Sequence, residues 1–259
     1  MLNPKLLLLQ IEDRSDPMLN AFIDINRKMC KKHGVEYVFL KQGRPDIPHY
    51  WWKIFELNRI MQERKDIELV MWLDSDAFLT QWKRINPIQL ANAHPNVTMF
   101  ISPDAPPKYT AKFCAGSFVL RNNENGRHLM SEWQSYYDPS KWEKYDNGRW
   151  KTKGYFGGSD YEQGAFIDKL LPYANQKNIL SLPYYVFNEN KCTNPHPDSI
   201  SIHLAGEYKE NHLPECTKLF SSSTSPLESF TDPVNLTTLS VMLVLAVILF
   251  IFKLRRAKK

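Results

Sequence analysis

The sequence predicts an α/β fold, a sandwich built on a mostly parallel central sheet, with one C-terminal transmembrane helix appended. Three observations predict it. Short apolar runs alternate with stretches of helical period from the N-terminus onward, the pattern of strands and their covering helices. The 259 residues are 43% hydrophobic and 13% aromatic, enough for one full-sized core and too apolar for a disordered chain. An uncharged apolar stretch, LSVMLVLAVILFIF, stands at residues 239–252, outside that alternation.

Residues 5–11 are an apolar run of strand length. Asp16-Pro17 opens a helix, with an Asp cap and Pro at the first helical position, and Gly34 stops it. VEYVFL at 35–40 is β-branched and aromatic, a second strand. From His49 to Arg64 the apolar residues 51, 54, 55, 57, 60 and 61 recur at helical period. IELVMWL at 67–73 is a third, fully buried strand. Residues 97–101 and 117–120 read as further strands, 126–137 and 161–171 as helices, and SISIHL at 199–204 as a late strand. In sheets of this kind ligands bind beyond the carboxyl ends of the strands.

The net charge of +5 belongs to the tail. Lys253, Arg255, Arg256, Lys258 and Lys259 account for the whole excess of 33 basic over 28 acidic residues. The folded part has no basic footprint, which excludes nucleic acid as a partner. With 10 glycines the chain is not collagen-like, and no internal repeat supports a solenoid. Cys30, Cys114, Cys192 and Cys216 show no Cys-x-x-Cys spacing, which argues against zinc. Free buried thiols are expected, with Cys192 and Cys216 pairing only in an oxidising compartment. Asn96-Val97-Thr98 and Asn235-Leu236-Thr237 are glycosylation sequons that matter only in a lumen.

These features divide the chain into a folded domain at 1–220, a polar linker at 221–235, a transmembrane helix at 236–252 and a basic tail at 253–259. The helix is at the short end of the roughly 17–25 residues that span a bilayer. The N-terminal apolar run is too short for a secretory leader, so insertion is expected through the tail, as a single-pass anchor with the folded domain in the cytosol. The positive-inside tendency points the other way, to a lumenal domain; the cytosolic placement is preferred here.

The chemistry concentrates where the third strand ends. LVMWLDSDAFLT carries the chain through the core and then presents Asp74 and Asp76. An i, i+2 pair lies on one side of an extended chain, so both carboxylates face one place. Two carboxylates that close repel unless a cation sits between them, and a hard divalent ion, Mn²⁺ or Mg²⁺, suits such oxygens. A solvated pair of aspartates at a strand end is the plain alternative.

Three further blocks follow in order. The first is Cys114-Ala115-Gly116-Ser117-Phe118-Val119-Leu120-Arg121, the second Glu162-Gln163-Gly164-Ala165-Phe166, the third His203-Leu204-Ala205-Gly206-Glu207-Tyr208-Lys209. Together with Tyr50-Trp51-Trp52-Lys53 and the Asp pair, they make the chain resemble the GT-A glycosyltransferases over about residues 5–210. The resemblance is to the retaining galactosyl- and xylosyltransferases of the GMA12/MNN10-like family and to the glycogenin/LgtC-like family. It implies the GT-A fold, a Rossmann-like sandwich for nucleotide-diphosphate sugars. It implies transfer of a sugar, with retention, from a nucleotide-sugar donor such as a UDP-sugar to a glycan or glycoconjugate acceptor.

The resemblance also assigns roles. Asp74, Asp76 and His203 would hold the metal, with Asp74 also touching the donor. Gly206 and Lys209 would hold the diphosphate, and Lys53 is a further donor contact. Glu162 and Gln163 would lie under the donor sugar, with Asp160 as a competing carboxylate; an acid at a helix start is the plain reading for either acid. His203 has the plain reading of a core histidine. Relatives often carry Asn where Cys114 stands, and a thiol cannot make the amide's bonds, so that block is expected to be structural. Trp51, Trp52 and Tyr50 could stack on an acceptor, with core packing the expected use.

Two other functions fit parts of the sequence. A haloacid-dehalogenase-type phosphatase also opens its site with strand–Asp-x-Asp, Asp74 acting as nucleophile and Asp76 as acid. A non-catalytic membrane-tethered sugar-binding protein would keep the fold without the chemistry.

Overall fold

Strand β1 (Leu6–Ile11) is buried along its whole length, as LLLLQI requires of a central strand covered on both faces. It leads into α1 (Pro17–His33), whose Asp16 side chain accepts from the backbone N–H groups of Met18 and Leu19. The helix ends on Gly34, which adopts the left-handed φ of 66° that glycine takes without strain. Strand β2 (Glu36–Leu40) and helix α2 (His49–Glu63) follow, and β3 (Leu69–Leu73) is again fully buried. The computed structural model describes residues 4–107, 110–206, 208–209 and 215–216.

After β3 come β4 (Ala77–Leu79), α3 (Pro87–Ala93), β5 (Met99–Ile101), β6 (Ser117–Arg121) and α4 (Glu124–Ser135). The hairpin β7 (Trp142–Lys144) and β8 (Trp150–Thr152) precedes α5 (Glu162–Lys169), β9 (Ile179–Ser181), α6 (Tyr184–Phe187) and β10 (Ser201–His203). The six-stranded sheet has the order β2-β1-β3-β6-β5-β9. Only β6 runs against its neighbours, so the expected mostly parallel sheet is present. The strand pattern sends Leu7, Leu9 and Ile11 to a core under α2, α4 and α5, and Leu6 and Leu8 to the other face.

Chain direction fixes where a ligand crevice lies. From β1 the chain moves out to β2 on one side, then returns to β3 on the other. The loops leaving β1 and β3 therefore diverge at a topological switch point, the usual ligand position in such a sheet. Asp74 follows β3 there, and residues 12–14 follow β1.

The described residues belong to one unit, Met1–Cys216. Within it Cys30 and Cys114 are buried free thiols, as expected, whereas Cys192 and Cys216 form a disulfide. The second unit, Thr217–Lys259, lies outside the described residues, and with it the expected linker at 221–235, helix at 236–252 and tail at 253–259. Among the described residues no helix is long and apolar enough to cross a membrane. The expected single-pass anchor is corrected accordingly. The cytosolic placement depends on that anchor and falls with it; the disulfide, uncommon in a reducing cytosol, also speaks against it.

Candidate active site

The Asp pair does not lie on an extended strand. The N–H of Ala77 donates to the carbonyl of Asp74 at 3.0 Å, so Asp74-Ser75-Asp76-Ala77 is a β-turn at which the chain leaves the large sheet for β4. The carboxylates converge because of this turn, not because of strand alternation. Buried amides hold it from behind. The Gln10 amide donates to the Asp74 carbonyl at 3.1 Å. The Asn26 amide donates to Gln10 and to the Ala77 carbonyl, both at 3.0 Å, and accepts from Leu79 N–H at 2.8 Å. Ser75, between the two aspartates, donates its hydroxyl to buried Glu12. Glu12 in turn accepts from the Arg14 guanidinium at 2.8 and 2.6 Å.

Strand pairing delivers the histidine. β10 runs antiparallel to β4 with His203 opposite Ala77, and Leu204 N–H donates to the Asp76 carbonyl at 3.0 Å. The imidazole Nε2 lies 3.2 Å from Asp76 Oδ1. Its Nδ1 lies 3.2 Å from Asn188 Oδ1 and 3.5 Å from the Cys114 sulfur. An amide oxygen facing Nδ1 favours the tautomer that leaves Nε2 to the ligand side. The ring lies on Gly116, where a Cβ would overlap it; this is the structural use of Cys114-Ala115-Gly116.

Charge is balanced locally. Lys209 Nζ lies 3.2 Å from Asp76 Oδ2, and Gly206 takes a positive φ of 53° in the turn that brings it there. Burial pushes the Asp76 carboxyl up; His203 and Lys209 outweigh that and hold it well below the usual carboxylate range. Burial works against a charged His203, but the Cys114 sulfur and Asp76 carboxylate beside it raise it well above its ordinary value.

Lys53 is almost enclosed where it borders the cleft. It is 7% exposed, with Nζ 2.8 Å from Asp74 Oδ1, 3.3 Å from Glu162 Oε1 and 3.1 Å from the Ala115 carbonyl. It therefore ties the Asp turn to the start of α5. Asp74 Oδ1 also accepts from the Trp72 indole at 2.7 Å. Burial pushes the Glu162 carboxyl up against the pull of Lys53. Gln163 accepts from Ala115 N–H at 2.9 Å, so its amide is anchored on the same backbone segment. Asp160 is placed differently: its Oδ2 accepts from Thr152 at 2.6 Å, and its carbonyl from the Trp51 indole at 2.9 Å. It closes the β8–α5 loop.

Asp74, Asp76 and His203 each offer one ligand atom, and these atoms lie within 4.8 Å of one another. Two carboxylates and an imidazole whose second nitrogen is held by an amide oxygen fit a divalent ion such as Mn²⁺. The aspartates open into a cleft of about 660 Å³, bounded by Arg14, Trp52, Lys53, Arg149 and Trp150. A cavity of similar volume, about 680 Å³, lies among Glu132, Tyr173 and Lys177 and holds none of the three.

The sequence reading missed four contributors. Glu12 and Arg14 carry no motif. Asn188 has no signal beyond its place before β10. The β7–β8 hairpin had one: Asp146-Asn147-Gly148 between aromatic-rich arms marks a three-residue hairpin loop, and Gly148 takes the left-handed φ of 79°.

Known proteins resemble the chain in the same terms. Residues 6–90 match the model of the galactosyl transferase GMA12/MNN10 family, a span that includes Lys53, Asp74 and Asp76 but not Glu162 or His203. A probable xyloglucan 6-xylosyltransferase 5 of Arabidopsis thaliana is 29% identical over 107 residues, 40% of this chain and 23% of the relative. Glycosyltransferase 6 of the same plant is 24% identical over 207 residues, 75% of this chain and 43% of the relative. The chain thus spans under half the length of these curated relatives. In fold it matches a glycosyltransferase involved in the glycosylation of the major capsid of PBCV-1, with a TM-score of 0.59 at 14% identity, covering 80% of this chain and 100% of that one. Family match, relatives and fold all fall among glycosyltransferases.

Proposed function

We propose that this chain, with its GMA12/MNN10-type segment on a glycosyltransferase fold, transfers a sugar from a nucleotide-diphosphate donor to a glycan or glycoconjugate. The observation that carries the reading is the convergence of ligand atoms of Asp74, Asp76 and His203 within 4.8 Å of one another, beside a cleft that the two aspartates line. A UDP-sugar is the donor by family analogy.

In the reaction the bond between the sugar's anomeric carbon and the diphosphate breaks, and negative charge grows on the leaving phosphate. Asp74, Asp76 and His203 would hold a divalent ion, which would stabilise that charge as a Lewis acid. Lys209 supplies a second positive charge beside Asp76. The backbone at Gly206 has no side chain to block a phosphate's approach. Glu162, kept close to Asp74 through Lys53, would supply the carboxylate that steadies an oxocarbenium-like centre in a transfer with retention. Gln163, anchored on Ala115, positions the sugar. Asp160, bound to Thr152, keeps the loop in place.

The phosphatase reading fits less well. Its second aspartate must give up a proton as general acid, whereas His203 and Lys209 hold the Asp76 carboxyl well below the usual carboxylate range. That fold also gives His203 no task.

The test is release of UDP from a panel of UDP-sugars with Mn²⁺, comparing the chain with Asp76→Ala and His203→Ala. Loss of a metal ligand is expected to lower kcat/KM by about 100-fold or more. Equal turnover by all three proteins, with and without a chelator, overturns the reading.

A further inference from the structure

Four large apolar side chains are strongly exposed among the described residues, and three of them, Tyr145, Tyr155 and Phe156, fall in one short segment around the β7–β8 hairpin. Tyr155 and Phe156 are each 77% exposed. Rings left in water in a cluster mark a surface with a partner. The position of this cluster says which partner.

The rings are continuous with the candidate site. Phe156 meets Tyr50 at a centroid distance of 6.0 Å and Tyr161 at 5.2 Å. Tyr50 lines the cleft that holds Asp74 and Asp76, and Tyr161 directly precedes Glu162. The hairpin beneath adds Asn147, Arg149 and Trp150 to the same cleft wall. The loop is built to hold this pose. Tyr155 lies over Gly158, and Gly158 in turn backs onto Gly164 of α5 so closely that a Cβ at Gly164 would overlap its carbonyl.

An acceptor must reach the anomeric carbon of the donor, so its site has to border the donor cleft on the side of Glu162. A sugar ring has one face of C–H bonds, which lies flat on an aromatic ring, and a rim of hydroxyls, which an amide and a guanidinium can bond. Exposed rings that continue through Tyr50 into a cleft holding Asn147 and Arg149 match that two-sided chemistry. A bilayer would ask for a wider apolar surface that need not continue into a polar cleft.

We propose that Tyr155 and Phe156, on the loop between β8 and α5, form an acceptor subsite that takes an oligosaccharide against their ring faces at the mouth of the cleft. This rests on the glycosyltransferase reading and names the substrate class at its second site.

The test is binding of the full chain, with Mn²⁺ and no donor, to an array of immobilised oligosaccharides. The native chain is expected to retain at least one class of oligosaccharide. The pair Tyr155→Ala with Phe156→Ala is expected to bind it about tenfold more weakly or worse, and the pair Tyr155→Trp with Phe156→Trp to bind it as the native chain does. Three results overturn the proposal: no oligosaccharide retained by the native chain, a loss in the Ala pair that the Trp pair does not restore, or equal binding by native and Ala proteins. Preferential capture on phosphatidylcholine–phosphatidylserine vesicles, lost in the Ala pair, would overturn it in favour of a membrane surface. Array binding needs no turnover and UDP release needs no oligosaccharide, so this proposal and the donor chemistry fail separately.

Discussion

Lys53 is the residue on which the candidate site turns, and its role was only partly visible in the sequence. It stands one residue after Trp51-Trp52 on α2, which marks it as an unusual cation on an apolar face. The sequence does not show that Asp74, Glu162 and the Ala115 carbonyl meet its ammonium, because these come from three distant segments. Burying an ammonium between two carboxylates is tolerable only as a set. Removal of the cation in Lys53→Met leaves Glu162 buried and unpaired, with an expected loss of about 3–5 kcal/mol at neutral pH. The sign of the pH dependence follows from Glu162, whose carboxyl burial already pushes up. Without Lys53 its folded pKa rises further above the unfolded value. A raised folded pKa adds stability that is present below the unfolded pKa and is lost as pH rises through the folded one. The deficit of the variant should therefore grow between about pH 5 and about pH 8. Thermal or urea unfolding of both proteins across that range measures it, and a deficit independent of pH contradicts the account.

At the scale of elements, regular runs were legible and junctions were not. The strands β1, β2 and β3 and the helices α1 and α2 follow from apolar period and capping residues, and their ends agree closely with the sequence. β4 is three residues long and directly follows a turn, so no periodicity could separate it from β3. α3 carried a readable signal, an Asn86 cap with Pro87 and a reciprocal Gln89 bond, that the apolar pattern alone does not show. The metal-ligand geometry depends on such a junction, because the β3–β4 turn and the β4–β10 pairing place Asp76 and His203 together. Two substitutions probe it. Asn26→Leu keeps the branched shape but strands the Ala77 carbonyl and the Leu79 N–H, while the Gln10 amide oxygen keeps its bond from Tyr37; about 1–3 kcal/mol is expected for each group left without a partner, in part relieved by water. Gly116→Ala puts a methyl group into the His203 ring. Because the ring is held by Asn188 and Asp76, it has no easy way to give, and about 1–3 kcal/mol of overpacking is expected. Isothermal titration with Mn²⁺ should show at least tenfold weaker binding for Gly116→Ala, and unchanged binding would separate Gly116 from the metal ligands.

For the whole molecule, the disulfide is what links the end of the described unit back to the site. Cys192 and Cys216 are 24 positions apart, and the segment they enclose contains both His203 and Lys209. The loop on the Cys192 side is itself organised. Glu189 accepts from the N–H groups of Asn190, Lys191 and His196 at 3.0, 3.2 and 3.0 Å, and its carbonyl accepts from His203 N–H at 2.8 Å. The sequence left this pairing conditional, since spacing cannot tell a bonded pair from two buried thiols; only the approach of two remote segments decides it. His203 is fixed by its strand, whereas Lys209 lies past the last strand, in a turn closed by a 3.2 Å bond from its own N–H to Gly206. Loss of the crosslink should therefore act unequally on the two. The paired change Cys192→Ala with Cys216→Ala is expected to cost about 2–4 kcal/mol of stability, the usual range for a loop of this size. Mn²⁺ affinity, set by Asp74, Asp76 and His203, should change less than twofold, while the KM for the nucleotide-sugar donor rises several-fold through the loosened Lys209. Titration calorimetry with Mn²⁺ and donor saturation curves on the same preparation read the two effects side by side. A variant that loses metal binding and donor affinity together would show that the crosslink supports the whole site, not the segment carrying Lys209.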